Sequence, residues 1–303
     1  MTLTLGSTDD GFTYDDYKEL MKSINVNNMQ KKLSKIKNFN FTDPDTQNTI
    51  IHAVVDGTIK KPDLQVDVLL ELHAKGAQID QPNIGGFLPI HMAVKNAISE
   101  AIDWFFVTNP SLLQTVHSKH HLNLVHYAVV CGSYAALESL HEKNPELINQ
   151  KIAENVLKGY APINYFLATL FFKVDVHQDQ FLPPEEMINS VTREQYESIL
   201  KEAAKKIVDD NENSKLIMDF LIEKSSTDTF FAQTKFGSVL HMLVRISYVE
   251  GIEAVLTKLK HQDESLLERV LVCKDPSYKT PLFYALERSV DEYKVARSVP
   301  NLF

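Results

Sequence analysis

The chain has 303 residues, and its 31 Lys and Arg against 40 Asp and Glu give a formal net charge of −9. A hydrophobic content of 44% and a charged content of 23% are typical of a globular protein, and they exclude a disordered tail or a basic nucleic-acid coat. No apolar stretch approaches the roughly 18 residues that a membrane span needs, and no Sec-type signal is visible at the start. Because the two cysteines, Cys131 and Cys273, cannot form a disulfide framework, we expect a reducing, cytoplasmic compartment.

The first predicted element is an N-terminal helical cap over residues 1–42. Within it, Tyr14–Lys37 reads as two short amphipathic helices. A polar outer face of this kind suits the end of a stacked array, because the terminal units of such arrays need one for solubility. Residues 43–303 follow as a separate, repeating region.

One short pattern recurs through residues 43–303: a small or turn residue, Pro or an aliphatic residue, an aliphatic residue, then His and an apolar run. Its copies are Thr49–His52, Leu88–His91, Asn123–His126, Ala161–Asn164, Ser238–His241 and Thr280–Phe283. Each copy opens a segment that reads as a buried helix, and a second apolar helix follows about ten residues later. The Asn-Pro turns at Asn109 and Asn144 are 35 residues apart, which is also the offset from His91 to His126.

This pattern resembles the ankyrin repeat, a unit of about 33 residues with a β-turn, two antiparallel helices and a T-P-L-H-x-A signature. Its best copies are Gly86–Asn96 and Leu124–Gly132. The resemblance implies an all-α fold, an ankyrin-repeat α-solenoid of about six helix pairs in which stacked neighbours bury a continuous core. The chain departs from the family at Asn164 and Phe283, which replace the signature His, and at Gly237, which lies one place late.

The fourth and fifth copies are 77 residues apart, about 42 more than the 35-residue period, which predicts a helical insertion at about 173–210 within the fourth unit. Thr192–Gln195 has the form of a capping box. Apolar residues behind it recur at helical spacing, so we expect an amphipathic helix over about Arg193–Asp209. The insertion is either a structural elaboration or a dedicated interaction element, since insertions in repeat proteins map to loops on one face.

The signature histidines His52, His91, His126 and His241 invite a metal or catalytic interpretation. Even spacing along a solenoid places them in a row, whereas a metal site needs three or four ligands at one point. The resemblance implies instead that each ring hydrogen-bonds turn backbone and ties one unit to the next. The His-rich segment His117–His121 is interpreted as a polar turn tip, because one exposed turn seldom supplies tetrahedral geometry.

Three other segments carry weaker chemical signals. Asp175–Glu186 faintly resembles a calcium-binding loop, but Gln180 stands where Gly is needed, so an acidic loop is expected. Cys131 lacks any visible partner motif for a nucleophile. Trp104 lies in a helix at a position that favours packing in the core.

These observations predict no catalytic residue, no cofactor and no metal, and therefore no enzyme. The predicted function is a protein–protein interaction scaffold that binds through its concave face and turn tips, and the resemblance extends to host-directed effectors of intracellular bacteria. We expect a monomer that binds an acidic protein surface, with no nucleic acid and no membrane span. The alternative is a targeting module of a larger enzyme whose catalytic part lies beyond residue 303 or in the insertion.

The family's partner-contacting positions, transferred to the six copies, carry seven basic and three acidic residues in a chain whose net charge is −9. A basic surface on an acidic chain would steer an acidic partner. Phe87, Leu122 and Tyr160 are expected to act as apolar anchors. The full set of predicted partner-binding residues is Phe87, Lys95, Lys119, His120, Leu122, Lys158, Tyr160, Lys235, Arg245, Lys279 and Arg288.

Overall fold

A computed structural model describes residues 13–155, 157–171, 198 and 212–291. Within these ranges the chain forms fifteen α-helices and two 3₁₀ helices, and its extended pairing is limited to three isolated antiparallel bridges. The predicted all-α class is thereby confirmed. Among the helices in these ranges there is no candidate for a membrane span. The predicted insertion helix Arg193–Asp209 and the calcium-loop candidate Asp175–Glu186 fall outside the described residues, apart from Ser198.

The chain divides into two compact bodies, Met1–Asn144 and Pro145–Phe303. The N-terminal body contains α1 (Tyr14–Lys22), α2 (Met29–Leu33), α3 (Ile50–Val55), α4 (Pro62–Ala74), α5 (Pro89–Lys95), α6 (Ser99–Thr108), the 3₁₀ helix Pro110–Gln114, α7 (Leu124–Val130) and α8 (Tyr134–Lys143). The C-terminal body contains the 3₁₀ helix Pro145–Asn149, α9 (Pro162–Phe171), α10 (Glu212–Lys224), α11 (Thr227–Phe231), α12 (Val239–Arg245), α13 (Val249–Gln262), α14 (Glu264–Val272) and α15 (Pro281–Asp291).

The helices form pairs in the order that the sequence repeats predict. The pairs are α3/α4, α5/α6 and α7/α8 in the first body and α9/α10 and α12/α13 in the second, where α15 opens a sixth repeat. First helices pack on first helices, as α3 does on α5 and α12 does on α15, and second helices pack on second helices, as α4 does on α6. All six residues of α3 are buried, because α1, α4 and α5 pack around this helix.

The six turns that precede the first helices share one backbone feature. Each contains a residue in the left-handed region: Gln47 (φ 57°), Gly86 (88°), His121 (55°), Gly159 (89°), Gly237 (88°) and Tyr278 (60°). In five turns this residue lies five places before the signature position, whereas Gly237 lies four places before His241. The late glycine seen in the sequence therefore marks a short turn, closed by reciprocal backbone hydrogen bonds of 3.1 Å between Thr234 and Gly237.

Helix α1 precedes the first repeat and packs against α3. A capping box starts it, since the Thr13 hydroxyl accepts from the amide of Asp16 while the Asp16 carboxylate accepts from the amide of Thr13. Tyr17, Leu20 and Met21 are its buried face, and its acidic residues point outward. The boundary of the cap at residue 42 stays a prediction. Trp104 is 7% exposed and packs edge-on against His73 and Phe105, which confirms its place in the core.

Candidate interaction surface

Two of the signature histidines, His52 and His241, connect consecutive repeats through both ring nitrogens. The backbone N–H of Thr49 donates to Nδ1 of His52 at 3.0 Å, so the neutral ring carries its proton on Nε2. That Nε2 donates to the carbonyl of Phe87 in the next repeat, also at 3.0 Å. His241 repeats the arrangement, with Nδ1 accepting from Ser238 at 3.1 Å and Nε2 donating to the carbonyl of Lys279 at 3.0 Å.

Two repeats form only half of this connection. His91 accepts the amide of Leu88 at Nδ1, but within the described part of the chain its Nε2 has no hydrogen-bond partner. Asn164 accepts the amide of Ala161 at Oδ1, and its Nδ2 likewise has no partner among the residues described. The Asn side chain is shorter than a His ring, so it reproduces the local contact and fails to reach the next repeat.

Burial keeps these rings neutral. It lowers the pKa of His52 to about 4 and outweighs the opposing hydrogen bond to the carbonyl of Phe87, and it lowers the pKa of His91 to about 3. The pKa of His241 is lowered for the same reason. Across the ranges that the structure describes, no three His, Cys, Asp or Glu side chains are grouped so that they could hold a metal ion. The histidines therefore act as structural connectors.

The His-rich turn is only partly the exposed tip that the sequence suggested. Ser118 and Lys119 are exposed, but the side chain of His117 is buried, with 1% of its surface accessible. Its Nδ1 accepts the amides of Lys119 and His120, each at 3.2 Å. The ring stacks on His120 at 4.7 Å between centroids and packs on Phe87 at 4.2 Å.

The three expected apolar anchors are buried, and this corrects the sequence analysis. Phe87, Leu122 and Tyr160 are 3%, 0% and 5% exposed. All three lie four places before a signature position, where the side chain turns inward beneath the tip. Phe87, for example, packs on Tyr127 at 5.6 Å between ring centroids. In this arrangement none of the three offers a surface to a partner.

Arg245 is also occupied within the molecule. Its guanidinium donates to the carbonyl of Phe236 at 3.2 Å and to the hydroxyl of Tyr284 at 2.5 Å. It lies over the Tyr284 ring at 4.0 Å and 3.8 Å from a carboxylate oxygen of Asp275. Although burial alone would raise the pKa of Asp275, hydrogen bonds from Tyr284, Lys279 and Ser277 together hold it below its usual value. Arg245 thus joins the fifth repeat to the sixth.

The remaining predicted residues keep solvent contact to different degrees. Lys119, Lys158 and Lys235, which we call the tip lysines, are exposed at the turns of the third, fourth and fifth repeats. Lys119 donates to the carbonyl of Ile84 at 3.0 Å. Lys95, His120 and Lys279 are half-buried. Lys279 also forms an ion pair with Glu287 at 3.6 Å. Arg288 belongs to α15, but its side chain lies outside the described part.

Two turn residues were missed as candidates. Ile84 in the second turn is 59% exposed, and Tyr278 in the sixth is 83% exposed. We call them the tip apolar residues. Turns are usually built from Gly, Pro, Asn, Asp and Ser, so a large apolar residue at a turn centre is itself a signal. That signal was available in the sequence, and it indicates the exposed apolar side chains better than the family position of Phe87 does.

No protein-family model matches the sequence, and neither does any curated protein. Among solved structures, the human ASB11 ankyrin repeat domain is similar, with a TM-score of 0.53, 14% identity, and coverage of 93% of this chain and 95% of that one. A second match, at TM-score 0.49 and 17% identity, is to the complex of the Bd0816 predatory endopeptidase of Bdellovibrio bacteriovorus with the immunity protein Bd3460, covering 82% of this chain and 100% of the matched chain.

The repeated helix pairs, the histidine connections and the first of these matches define the class of protein. The fold is that of an ankyrin-repeat protein in a divergent form. Its divergence lies in long spacings between repeats and in Asn164 and Phe283, which replace the signature His. Repeat proteins of this type present turns and helix faces as protein-binding surfaces.

Proposed function

We propose that this chain is a non-catalytic module that binds acidic protein surfaces through its exposed turn residues, which are Lys119 and Ile84 in the N-terminal body and Lys158, Lys235 and Tyr278 in the C-terminal body. The observation that carries the proposal is the exposure of Lys119, Lys158 and Lys235 at successive turns of an acidic chain. Exposed basic side chains in each body accelerate encounter with a partner of opposite sign. Exposed apolar side chains such as Tyr278 then supply contact area, as aromatic residues often do in interfaces.

The chemistry of the two cysteines supports a non-catalytic role. Burial raises the pKa of Cys131 to about 12, although the charge of Lys95 opposes it, so the thiol stays protonated at neutral pH. Burial also raises the pKa of Cys273, whose sulfur accepts from Gln233 at 2.7 Å. A cysteine nucleophile needs the thiolate and therefore a lowered pKa. Neither cysteine has the environment of a nucleophile.

A charge-reversal variant tests the proposal. Changing Lys119, Lys158 and Lys235 to Glu should slow association with the partner and flatten its dependence on salt, because steering by opposite charge is lost. The matched control reverses three exposed lysines outside these turns, namely Lys61 at the N-cap of α4, Lys215 in α10 and Lys260 in α13, and has the same net charge. The partner is captured by cross-linking from a lysate and purified, and its association rate is then measured at several salt concentrations. Equal rates for the two triple variants would refute the proposal.

A second variant separates the apolar contribution from the charge. Tyr278→Ala should mainly speed dissociation, since short-range contacts act on the lifetime of a complex. Val107→Ala is the control, because Val107 is 84% exposed on α6, away from the turns. If both variants dissociate alike, Tyr278 is not an anchor.

The site of action is also part of the proposal. The resemblance to host-directed effectors leads us to propose that a monomeric form acts in a eukaryotic cytosol. Capture from eukaryotic and bacterial lysates at equal protein concentration compares the two settings. A partner whose binding needs the tip lysines and that comes only from the bacterial lysate would contradict the effector role. The alternative, a targeting module for an enzyme, predicts that the captured partner or a linked domain carries the catalytic activity.

A further inference from the structure

The third turn differs from the others in the side chain that holds its backbone. In the first turn the Asp43 carboxylate accepts the amide of Thr46 at 2.8 Å, and in the second the Asn83 side chain accepts the amide of Phe87 at 3.0 Å. In the sixth, Asp275 accepts the amides of Ser277 and Lys279 at 2.8 and 2.9 Å. An imidazole performs this task in the third turn.

The geometry leaves the His117 ring one place for a second proton. Its Nδ1 accepts the amides of Lys119 and His120, so the neutral ring carries its proton on Nε2. Protonation must therefore take place at Nδ1, which turns the acceptor of both amides into a donor. An amide and an imidazolium N–H cannot bond to each other, so the protonated ring must release both amides.

The surroundings of the ring give the imidazolium no carboxylate partner among the described residues, and only the carbonyl of Gly85 favours the charged form. The titratable and charged groups that face it are His91 on α5 and three members of its own turn, Lys119, His120 and His121. Behind them, Tyr127 on α7 packs on Phe87 and His91. No carboxylate is among these described neighbours. Burial first, and then the charges of His120 and Lys119, lower the pKa of His117 to about 4, outweighing the carbonyl of Gly85.

We propose that His117 makes the third turn a pH-sensitive element of the binding surface. In acid, the ring releases the backbone amides of Lys119 and His120, and the turn loses the conformation in which Lys119 is exposed. The expected effect of pH on partner binding rests on the proposed function. The opening of the turn does not, because it takes place in the free protein. Mild acidification, such as an acidified compartment imposes, would loosen this turn while turns held by Asp or Asn stay closed.

Amide hydrogen exchange, followed by NMR on the full chain, measures the opening directly. Opening should become about 20-fold more favourable between pH 7.0 and 5.0, after correction for intrinsic exchange, because the open state binds one more proton than the closed state. This increase is expected for the amides of Lys119 and His120. The amides of Ser277 and Lys279, which a carboxylate holds, should change less than about twofold.

Two variants isolate the cause. His117→Asn places in the third turn the residue type that holds the second turn, and it should abolish the pH effect. His120→Asn leaves the acceptor in place and should preserve it. The proposal is overturned if the amides of Lys119 and His120 in the unmodified chain respond less than about twofold, or if His117→Asn responds as the unmodified chain does.

A measurement on the unmodified chain guards against a variant that fails to fold. The ring nitrogens of His117, observed by ¹⁵N NMR at neutral pH, should show the proton on Nε2. A ring protonated on Nδ1 would contradict the proposal without any substitution. Neither the exchange measurement nor the ¹⁵N measurement includes a partner. A negative result in either therefore does not bear on the proposed function, and a negative charge-reversal test does not bear on the opening of the turn.

Discussion

The Nε2–H of His52 donates to the carbonyl oxygen of Phe87, 3.0 Å away and 35 residues further along the chain. The side chain that gives the repeat its signature thus holds the backbone from which the next repeat's first helix departs. Both residues are buried, so loss of either partner leaves a polar group without water. The consequences of this connection can be measured one residue at a time.

His52→Ala should lower the free energy of unfolding by about 1–3 kcal/mol, because the amide of Thr49 is left buried without an acceptor. Urea unfolding followed by the fluorescence of Trp104, the single tryptophan, reports on the N-terminal body that contains His52. His261→Ala, at an exposed position on α13, is the control and should have little effect. Equal midpoints for His52→Ala and the unmodified chain would show that the connection contributes nothing.

Acid should destabilise the N-terminal body before its carboxylates titrate. His52 and His117 have pKa values of about 4 and His91 about 3, all below the ordinary 6.5. The unfolded chain therefore binds more protons than the folded chain as pH falls from about 6.5 towards 4. Stability present above pH 6.5 is lost over that window, by up to about 1.4 kcal/mol per pH unit for each histidine. Urea unfolding at pH 7, 6 and 5 measures this, and a flat profile would contradict it.

Asn164→His should complete the connection that Asn164 makes only in part. The longer ring would keep the contact with the amide of Ala161 and bring a second donor towards the fifth repeat. We expect a gain of about 0.5–1.5 kcal/mol, the usual net contribution of one hydrogen bond. Far-UV circular dichroism in urea follows the helices of both bodies, and the fluorescence of Trp104 follows the N-terminal body alone, so a difference between the two signals reports on the C-terminal body. A loss of stability would mean that the site has no room for the ring.

Lys258 closes the end of α10, and its removal should be costly. Its Nζ donates to the carbonyls of Ile222, Glu223 and Ser225 at 3.0, 2.6 and 2.6 Å. Lys258→Met keeps the apolar stem and removes the donors, so we expect a loss of about 1–3 kcal/mol. Lys260→Met, two places along the same helix and exposed, should lie within about 0.5 kcal/mol of the unmodified chain. Similar losses for both would exclude a specific capping role.

Ala97 lies in the left-handed region at φ 53°, in the connection between α5 and α6. Ala97→Gly should stabilise the protein by about 1 kcal/mol, because glycine adopts this conformation without the strain of a Cβ. Ala135→Gly is the matched control on the exposed side of α8, and it should cost about 1 kcal/mol. The two variants must shift the thermal midpoint in opposite directions, and shifts of the same sign would contradict the backbone argument.

The repeats could be predicted from the sequence because the signature pattern, the apolar runs and the spacing of the turns agreed with each other. The first helices of the first five repeats are largely buried, so they appear in the sequence as apolar runs, and a turn with a residue in the left-handed region precedes each of them. The helix pairs followed from that pattern, whereas the role of the signature histidines was implied by the resemblance to ankyrin repeats. The late glycine at Gly237 also marked a real change, a shorter turn.

The tertiary structure decided whether each turn side chain is exposed to solvent or buried. Seven places before the signature position, Ile84 is 59% exposed, whereas Leu157 at the equivalent place is 1% exposed. In the fourth and fifth repeats the exposed lysines, Lys158 and Lys235, lie one place later. The place of the exposed side chain therefore differs by one residue between turns, and local sequence similarity does not resolve such a shift.

Contacts with residues distant in sequence decided whether a polar side chain is available to a partner. Sequence alone gave Arg245 the charge and position of a binding residue, but Asp275 and Tyr284, which lie 30 and 39 residues away, hold its guanidinium. In the same way, the sequence predicts an exposed His117, but in the structure its ring packs against Phe87 and His91 of the preceding repeat. The sequence by itself determined the repeating helices, because these depend on local periodicity. Only the tertiary structure decided which polar side chains remain available, because burial and pairing depend on residues that the chain brings together from one repeat to the next.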